Sequence, residues 1–117
     1  MNKEKVILLI DDEKNTLDTL EAILDQRGHK VLLANNLQLA KKLIADYAID
    51  IIFCDIKFPN ENGLNFLEWN SKNNNIPTVI MTGQAGVLLK KEIESLGGTG
   101  LLTKPFCYDQ MEEYINN

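Results

Sequence analysis

Cysteine, histidine and long apolar runs are all scarce in this sequence. Its two cysteines, Cys54 and Cys107, lack the spacing of a metal-ligand pair or a redox motif, and neither is expected in a disulfide. Cys54 ends an apolar run and reads as a small buried hydrophobe. His29 is the only histidine and follows Gly28 at a helix end, which predicts a surface or capping role rather than chemistry. No apolar run approaches the roughly 20 residues that span a bilayer, so a membrane-spanning role is not expected. No Lys/Arg cluster stands out and the net charge is -5, so direct nucleic-acid binding by this chain is not expected. Met1-Asn2-Lys3-Glu4-Lys5 leads straight into a strand-like run without a cleavage-site pattern, so no signal peptide is expected and the cytoplasm is the default.

What is present suits one globular domain. A chain of 117 residues supports one core and is too short for two ordinary domains, so residues 1–117 read as a single domain. Apolar residues at 44% and charged residues at 25% are ordinary for a soluble protein. There is no repeat, low-complexity tract or internal linker.

The apolar pattern alternates between two periods. Val6-Ile7-Leu8-Leu9-Ile10 is a continuous branched run, as in a strand covered on both faces. Leu17, Leu20, Ile23 and Leu24 recur at helical spacing, with Gly28 as the stop. Val31-Leu32-Leu33-Ala34 predicts a second strand; Leu37, Ala40, Leu43 and Ile44 predict a second helix. A third strand is expected from Ile49 to Cys54, then a Pro/Asn/Gly loop and a helix through Leu64, Phe66, Leu67 and Trp69, with Trp69 as a packing residue. Ser71-Lys72-Asn73-Asn74-Asn75 reads as a polar loop. Thr78-Val79-Ile80-Met81 predicts a fourth strand, Val87 to Leu96 a helix closing at Gly97-Gly98, Leu101-Leu102-Thr103 a fifth strand, and Met111, Tyr114 and Ile115 a last helix. Such alternation implies right-handed crossovers and a doubly wound parallel α/β sheet with helices on both faces.

Four polar elements then fall at strand ends. Asp11 and Asp12 follow the first strand, Asp55 the third, Thr82 the fourth, and Lys104 with Pro105 the fifth. A doubly wound sheet places its ligand site beyond the carboxyl ends of its strands. The expected site thus gathers carboxylates for a divalent cation, a hydroxyl and a fixed positive charge. These are the groups needed to hold a phosphoryl group on a carboxylate.

With these motifs the chain resembles the receiver domain of two-component response regulators. Asp11-Asp12 matches the acidic pair, and Cys54-Asp55-Ile56-Lys57-Phe58-Pro59-Asn60-Glu61-Asn62-Gly63-Leu64 the phosphoacceptor segment. Met81-Thr82-Gly83 matches the hydroxyl position, and Thr103-Lys104-Pro105-Phe106 the Lys-Pro motif. The resemblance covers essentially the whole chain. It implies a five-stranded flavodoxin-like sheet of order 2-1-3-4-5. It also implies a phosphorylation-controlled switch in which Asp55 receives phosphate from a sensor histidine kinase or histidine phosphotransfer protein. Magnesium, with manganese as the alternative, would be held directly by Asp12, Asp55 and the Lys57 backbone carbonyl, with Asp11 acting through water. Lys104 would pair with Asp55 at rest and with the phosphoryl group afterwards, and Thr82 would donate its hydroxyl. Pro105 would follow a cis bond that aims Lys104, and Gly63 would allow a backbone conformation hindered by a side chain. Output would pass through the fourth helix, fifth strand and fifth helix to a downstream protein or a C-terminal output domain. Such a protein catalyses only its own phosphorylation and dephosphorylation.

Departures from the family pattern are few. Leu101 stands where most receivers carry the aromatic that swings inward with the hydroxyl residue, so the switch is expected to differ there. Phe58 replaces a methionine without loss of apolar bulk. Lys57 and Gln84 flank the path of the hydrolytic water in the family, which suggests that Lys57 covers the phosphoryl group and slows its loss. Asn116-Asn117 ends the last helix about a turn sooner than in most receivers, which fits both a stand-alone receiver and a piece of a longer regulator. Other classes fit less well. A haloacid-dehalogenase-type phosphatase needs an Asp where Lys57 stands and a cap insertion. A flavin-binding flavodoxin would set its phosphate against Asp11-Asp12-Glu13. A degenerate interaction module would not need every reactive side chain in place.

Overall fold

The computed structural model describes residues 4–84 and 86–116. In chain order the elements begin with β1 (Val6–Ile10), α1 (Lys14–Gln26), β2 (Lys30–Ala34), α2 (Leu37–Asp46) and β3 (Ile51–Asp55). They continue with β4 (Lys57–Phe58), β5 (Glu61–Asn62), α3 (Gly63–Asn73), β6 (Thr78–Thr82), α4 (Val87–Ser95), β7 (Gly100–Thr103) and α5 (Tyr108–Ile115). Five parallel strands form one sheet in the order β2-β1-β3-β6-β7. Counted over these five strands alone, this is the expected order 2-1-3-4-5, a flavodoxin-like fold. The order reverses between β1 and β3, which opens a crevice at their carboxyl ends.

Alternation along the strands divides the core in two. Leu8, Ile10, Ile52, Cys54 and Ile80 meet Ala40 and Ile44 of α2, Phe66 and Leu67 of α3 and Ile93 of α4. Ile7, Leu9, Phe53, Val79 and Met81 point the other way, onto Leu17 and Leu24 of α1 and Met111 and Ile115 of α5. Burial on both faces is why the strands read as continuous apolar runs instead of alternating ones.

Helix ends follow local chemistry. Gly28 and Gly97 take φ of +87° and +91°, the left-handed conformation that stops α1 and α4. Asn36 caps α2 by accepting from the Leu39 N–H at 2.8 Å, and Asn62 caps α3 by accepting from the Leu64 N–H at 2.7 Å.

Three expectations need correction. α3 runs through Asn73, so the polar loop expected from Ser71 starts only at Asn74. A polar helical face on Ser71, Lys72 and Asn73 has the same composition as a loop, and the apolar period had already ended. His29 is 5% exposed rather than on the surface, and its Nδ1 accepts from the Lys5 N–H at 3.1 Å, which ties it to the residue before β1. The loop after Asp55 contains a short antiparallel hairpin, β4 with β5, pairing Lys57 with Asn62 and Phe58 with Glu61.

Candidate functional site

Asp11 sits one residue beyond β1, where its backbone N–H still donates to the Ala34 carbonyl and extends the β1–β2 ladder. Its side chain is fully buried, and Oδ1 accepts from the Glu13 N–H at 2.9 Å. Asp12, next in the chain, is exposed. Asp55 is the last residue of β3, partly buried, with Oδ1 accepting from the Ile56 N–H at 2.7 Å. Asp11, Asp12 and Asp55 each offer a carboxylate oxygen within 4.8 Å of the others. Two of the three thus follow β1 and the third ends the adjacent β3, on either side of the switch point.

Lys104 reaches this cluster from beyond β7. Its Nζ donates to Asp11 Oδ2 at 2.9 Å and to Asp55 Oδ2 at 3.3 Å. Pairing with Asp55 is the expected contact; the shorter one, to the buried Asp11, was not legible in the sequence. Burial alone would lower the ammonium pKa, but the hydrogen bond and charge of Asp11, joined by Asp55, outweigh it and raise the value. Lys104 is therefore a fixed cation. The Lys104–Pro105 peptide bond is cis.

Thr82 ends β6 opposite Thr103, one rung beyond the pairing of Asp55 with Met81. Its hydroxyl donates to the Gln84 carbonyl at 3.0 Å and lies 3.1 Å from the Gln84 N–H, which donates back to it. Gln84 is therefore tied to the site through its backbone, while its side chain is exposed. Lys57 is exposed on the hairpin. Leu101 pairs with Ile80, two rungs inside the Thr82–Thr103 pair, so it lies away from the carboxyl edge and packs with the α2–α3–α4 side of the core. Cys54 is fully buried; burial, with the charges of Asp55 and Asp11, pushes its thiol well above the ordinary value, so it is inert.

Gly63 opens α3, where a Cβ would strike the backbone carbonyl of Asp55. Its N–H also donates to the Ile56 carbonyl at 2.6 Å. Close approach of two backbones, rather than the left-handed conformation, is what demands glycine here, since φ is positive at Gly28 and Gly97 but not at Gly63.

The donor set suits a hard divalent cation. It contains only carboxylate oxygens, lies at a solvent-reachable edge through Asp12, and carries more negative charge than the single Lys104 offsets.

Comparison with known proteins agrees with this geometry. The response regulator receiver domain matches residues 7–116. The chain is 30% identical over 109 residues to the uncharacterized transcriptional regulatory protein YrkP of Bacillus subtilis, covering 93% of this chain and 47% of that protein. It is 32% identical over 114 residues to the transcriptional regulatory protein ZraR of Klebsiella oxytoca, covering 96% of this chain and 26% of that one. It thus spans half or less of the curated relatives it matches. Among solved structures, the non-phosphorylated HemR receiver domain of Leptospira biflexa superposes with a TM-score of 0.88 at 27% identity, covering 97% of this chain and 96% of that one. The receiver domain of the Francisella response regulator 1452 gives 0.90 at 26% identity, covering 97% and 94%.

Receiver domains are, as a class, signalling switches rather than conventional enzymes. The chain belongs to the response regulator receiver domain family of two-component systems.

Proposed function

We propose that the chain, read as one receiver domain over residues 1–117, is switched by phosphorylation of Asp55. The donor is the phosphohistidine of a sensor histidine kinase or of a histidine phosphotransfer protein. A carboxylate oxygen of Asp55 attacks phosphorus, the P–N bond breaks, and the electron pair leaves on the imidazole nitrogen. The observation that carries this reading is the convergence of Asp11, Asp12 and Asp55 with Lys104 Nζ at one edge of the sheet.

Magnesium, or manganese in its place, would supply neutralisation of the phosphoryl oxygens, held by Asp12, Asp55 and the Lys57 carbonyl, with Asp11 behind them. Lys104 exchanges its carboxylate contacts for a phosphoryl oxygen. Thr82 gives up the Gln84 carbonyl and donates its hydroxyl to another. Lys57 and the Gln84 side chain flank the approach of the water that later hydrolyses the acyl phosphate. Beyond this transfer and the hydrolysis of its own acyl phosphate the chain catalyses nothing.

The change is read on the face formed by α4, β7 and α5, by an output domain or a downstream protein. By likeness to YrkP and ZraR, that output is transcriptional control, carried by the output domain or downstream protein, with no nucleic-acid contact by this chain. Among the described residues no helix is long and apolar enough to cross a membrane, and the cytoplasm is the proposed compartment. The test is phosphoryl incorporation from acetyl phosphate with magnesium. Incorporation is expected in wild type, and loss is expected with a chelator or in Asp55→Asn.

A further inference from the structure

A crevice of about 370 Å3 lies between α4 and the outer edge of β7, lined by Lys90, Ile93, Glu94, Leu101, Thr103 and Tyr114. β7 is the last strand of the sheet, so one edge of its backbone has no neighbouring strand. Tyr114 of α5 attends to that edge. Its hydroxyl oxygen accepts from the Leu101 N–H at 3.4 Å, and its ring lies where a Cβ on Gly100 would sit. Gly100 therefore serves as a notch for an aromatic ring, and Tyr114 takes the place of a sixth strand at Leu101.

The contact is a long one. At 3.4 Å it is beyond the usual 2.7–3.2 Å of an N–H···O bond, so a small shift of β7 breaks it. β7 is only four residues long and is bonded to the site at its far end. Thr103 pairs with Thr82, and the Lys104 N–H donates to the Thr82 carbonyl at 2.7 Å. A pull on Thr82 and Lys104 thus enters the strand that carries Leu101, and the crevice gives the Tyr114 ring room to leave its notch.

We propose that Tyr114 is the residue through which the α4–β7–α5 face registers the state of Asp55. With the site unmodified, its ring rests against Gly100 and its hydroxyl holds the edge of β7. When Thr82 and Lys104 move onto a phosphoryl group, β7 shifts, the Leu101 contact opens, and the ring moves into the crevice beside Lys90 and Glu94. This inference rests on the phosphoacceptor reading above. Tyr114 is a positioning residue that touches no reacting atom.

Two measurements test it. In protein labelled with 3-fluorotyrosine, the fluorine resonances of Tyr47, Tyr108 and Tyr114 are assigned with single Tyr→Phe variants. They are then recorded before and after magnesium and acetyl phosphate, with the adduct counted by intact mass. The Tyr114 resonance should move while that of Tyr47, on the opposite side of the sheet at the end of α2, stays in place. In parallel, Tyr114→Phe keeps the ring but loses the resting contact. By reciprocity it should bind beryllofluoride, an acyl-phosphate mimic, about two- to tenfold more tightly than wild type, the range set by one net hydrogen bond. A merely structural tyrosine would move neither reading. An adduct with an unmoved Tyr114 resonance, or a folded Tyr114→Phe of unchanged affinity, overturns this inference and leaves the phosphoacceptor intact. No adduct on folded wild type overturns both.

Discussion

Asp11 shows what burial adds to a motif. In the sequence it is one half of an acidic pair; in the fold it is the fully buried half, and its nearest cation is Lys104 at 2.9 Å. The hydrogen bond and charge of Asp11, joined by Asp55, hold Lys104 as a cation at the edge of the acidic cluster. Lys57 lies at the opposite extreme, exposed on a two-residue strand. Lys57→Ala is expected to shorten the lifetime of the phosphorylated state severalfold without altering stability, read by decay of the intact-mass adduct; an unchanged lifetime removes Lys57 from the kinetics.

His29 makes a separate prediction. Burial lowers its pKa, against the raising influence of Glu112 and Glu4 and with a small lowering influence of Lys5. Its Nδ1 can accept from the Lys5 N–H only while unprotonated. A folded-state pKa below the unfolded value means that the stabilisation is complete above about pH 6.5 and is lost as pH falls toward the folded value. Urea midpoints between pH 7.5 and 5.5 should fall for wild type and fall less for His29→Gln; parallel slopes would assign the acid sensitivity elsewhere.

Helix α3 illustrates how far periodicity reaches. Phe66 and Leu67 mark its buried face, and the ring of Phe66 lies 5.8 Å from that of Trp69. The pattern does not reveal Asn70, 1% exposed, which fastens the end of α3 to the start of β6. Its Nδ2 donates to the Ile76 carbonyl at 2.8 Å and to Thr78 Oγ1 at 3.1 Å. Asn70→Ala strands the buried partners, so a loss of about 1–3 kcal/mol in unfolding free energy is expected, checked by urea denaturation. A loss below that range would mean that water replaces the amide. Nothing in a single polar letter within a helix distinguishes such a clasp from a solvated side chain. The β4–β5 hairpin was hidden for a similar reason, since four residues are too few to show a period of two.

Across the molecule, legibility followed burial. Three buried central strands and two half-buried edge strands wrote themselves as five apolar runs, and their order put Asp11, Asp12, Asp55, Thr82 and Lys104 at one sheet edge. What stayed hidden depends on contacts between elements far apart in the chain. Lys104 lying closer to Asp11 than to Asp55 and Tyr114 lying in the Gly100 notch are of this kind. Residue type shows neither, because both partners are common on any surface.

Asp55 is the proposed site of modification. Intact mass of folded wild type and Asp55→Asn, each incubated with magnesium and acetyl phosphate, tests it most directly. A single acid-labile phosphoryl group on wild type and none on Asp55→Asn is the expected result. Unmodified wild type, or equal modification of the two proteins, would contradict it.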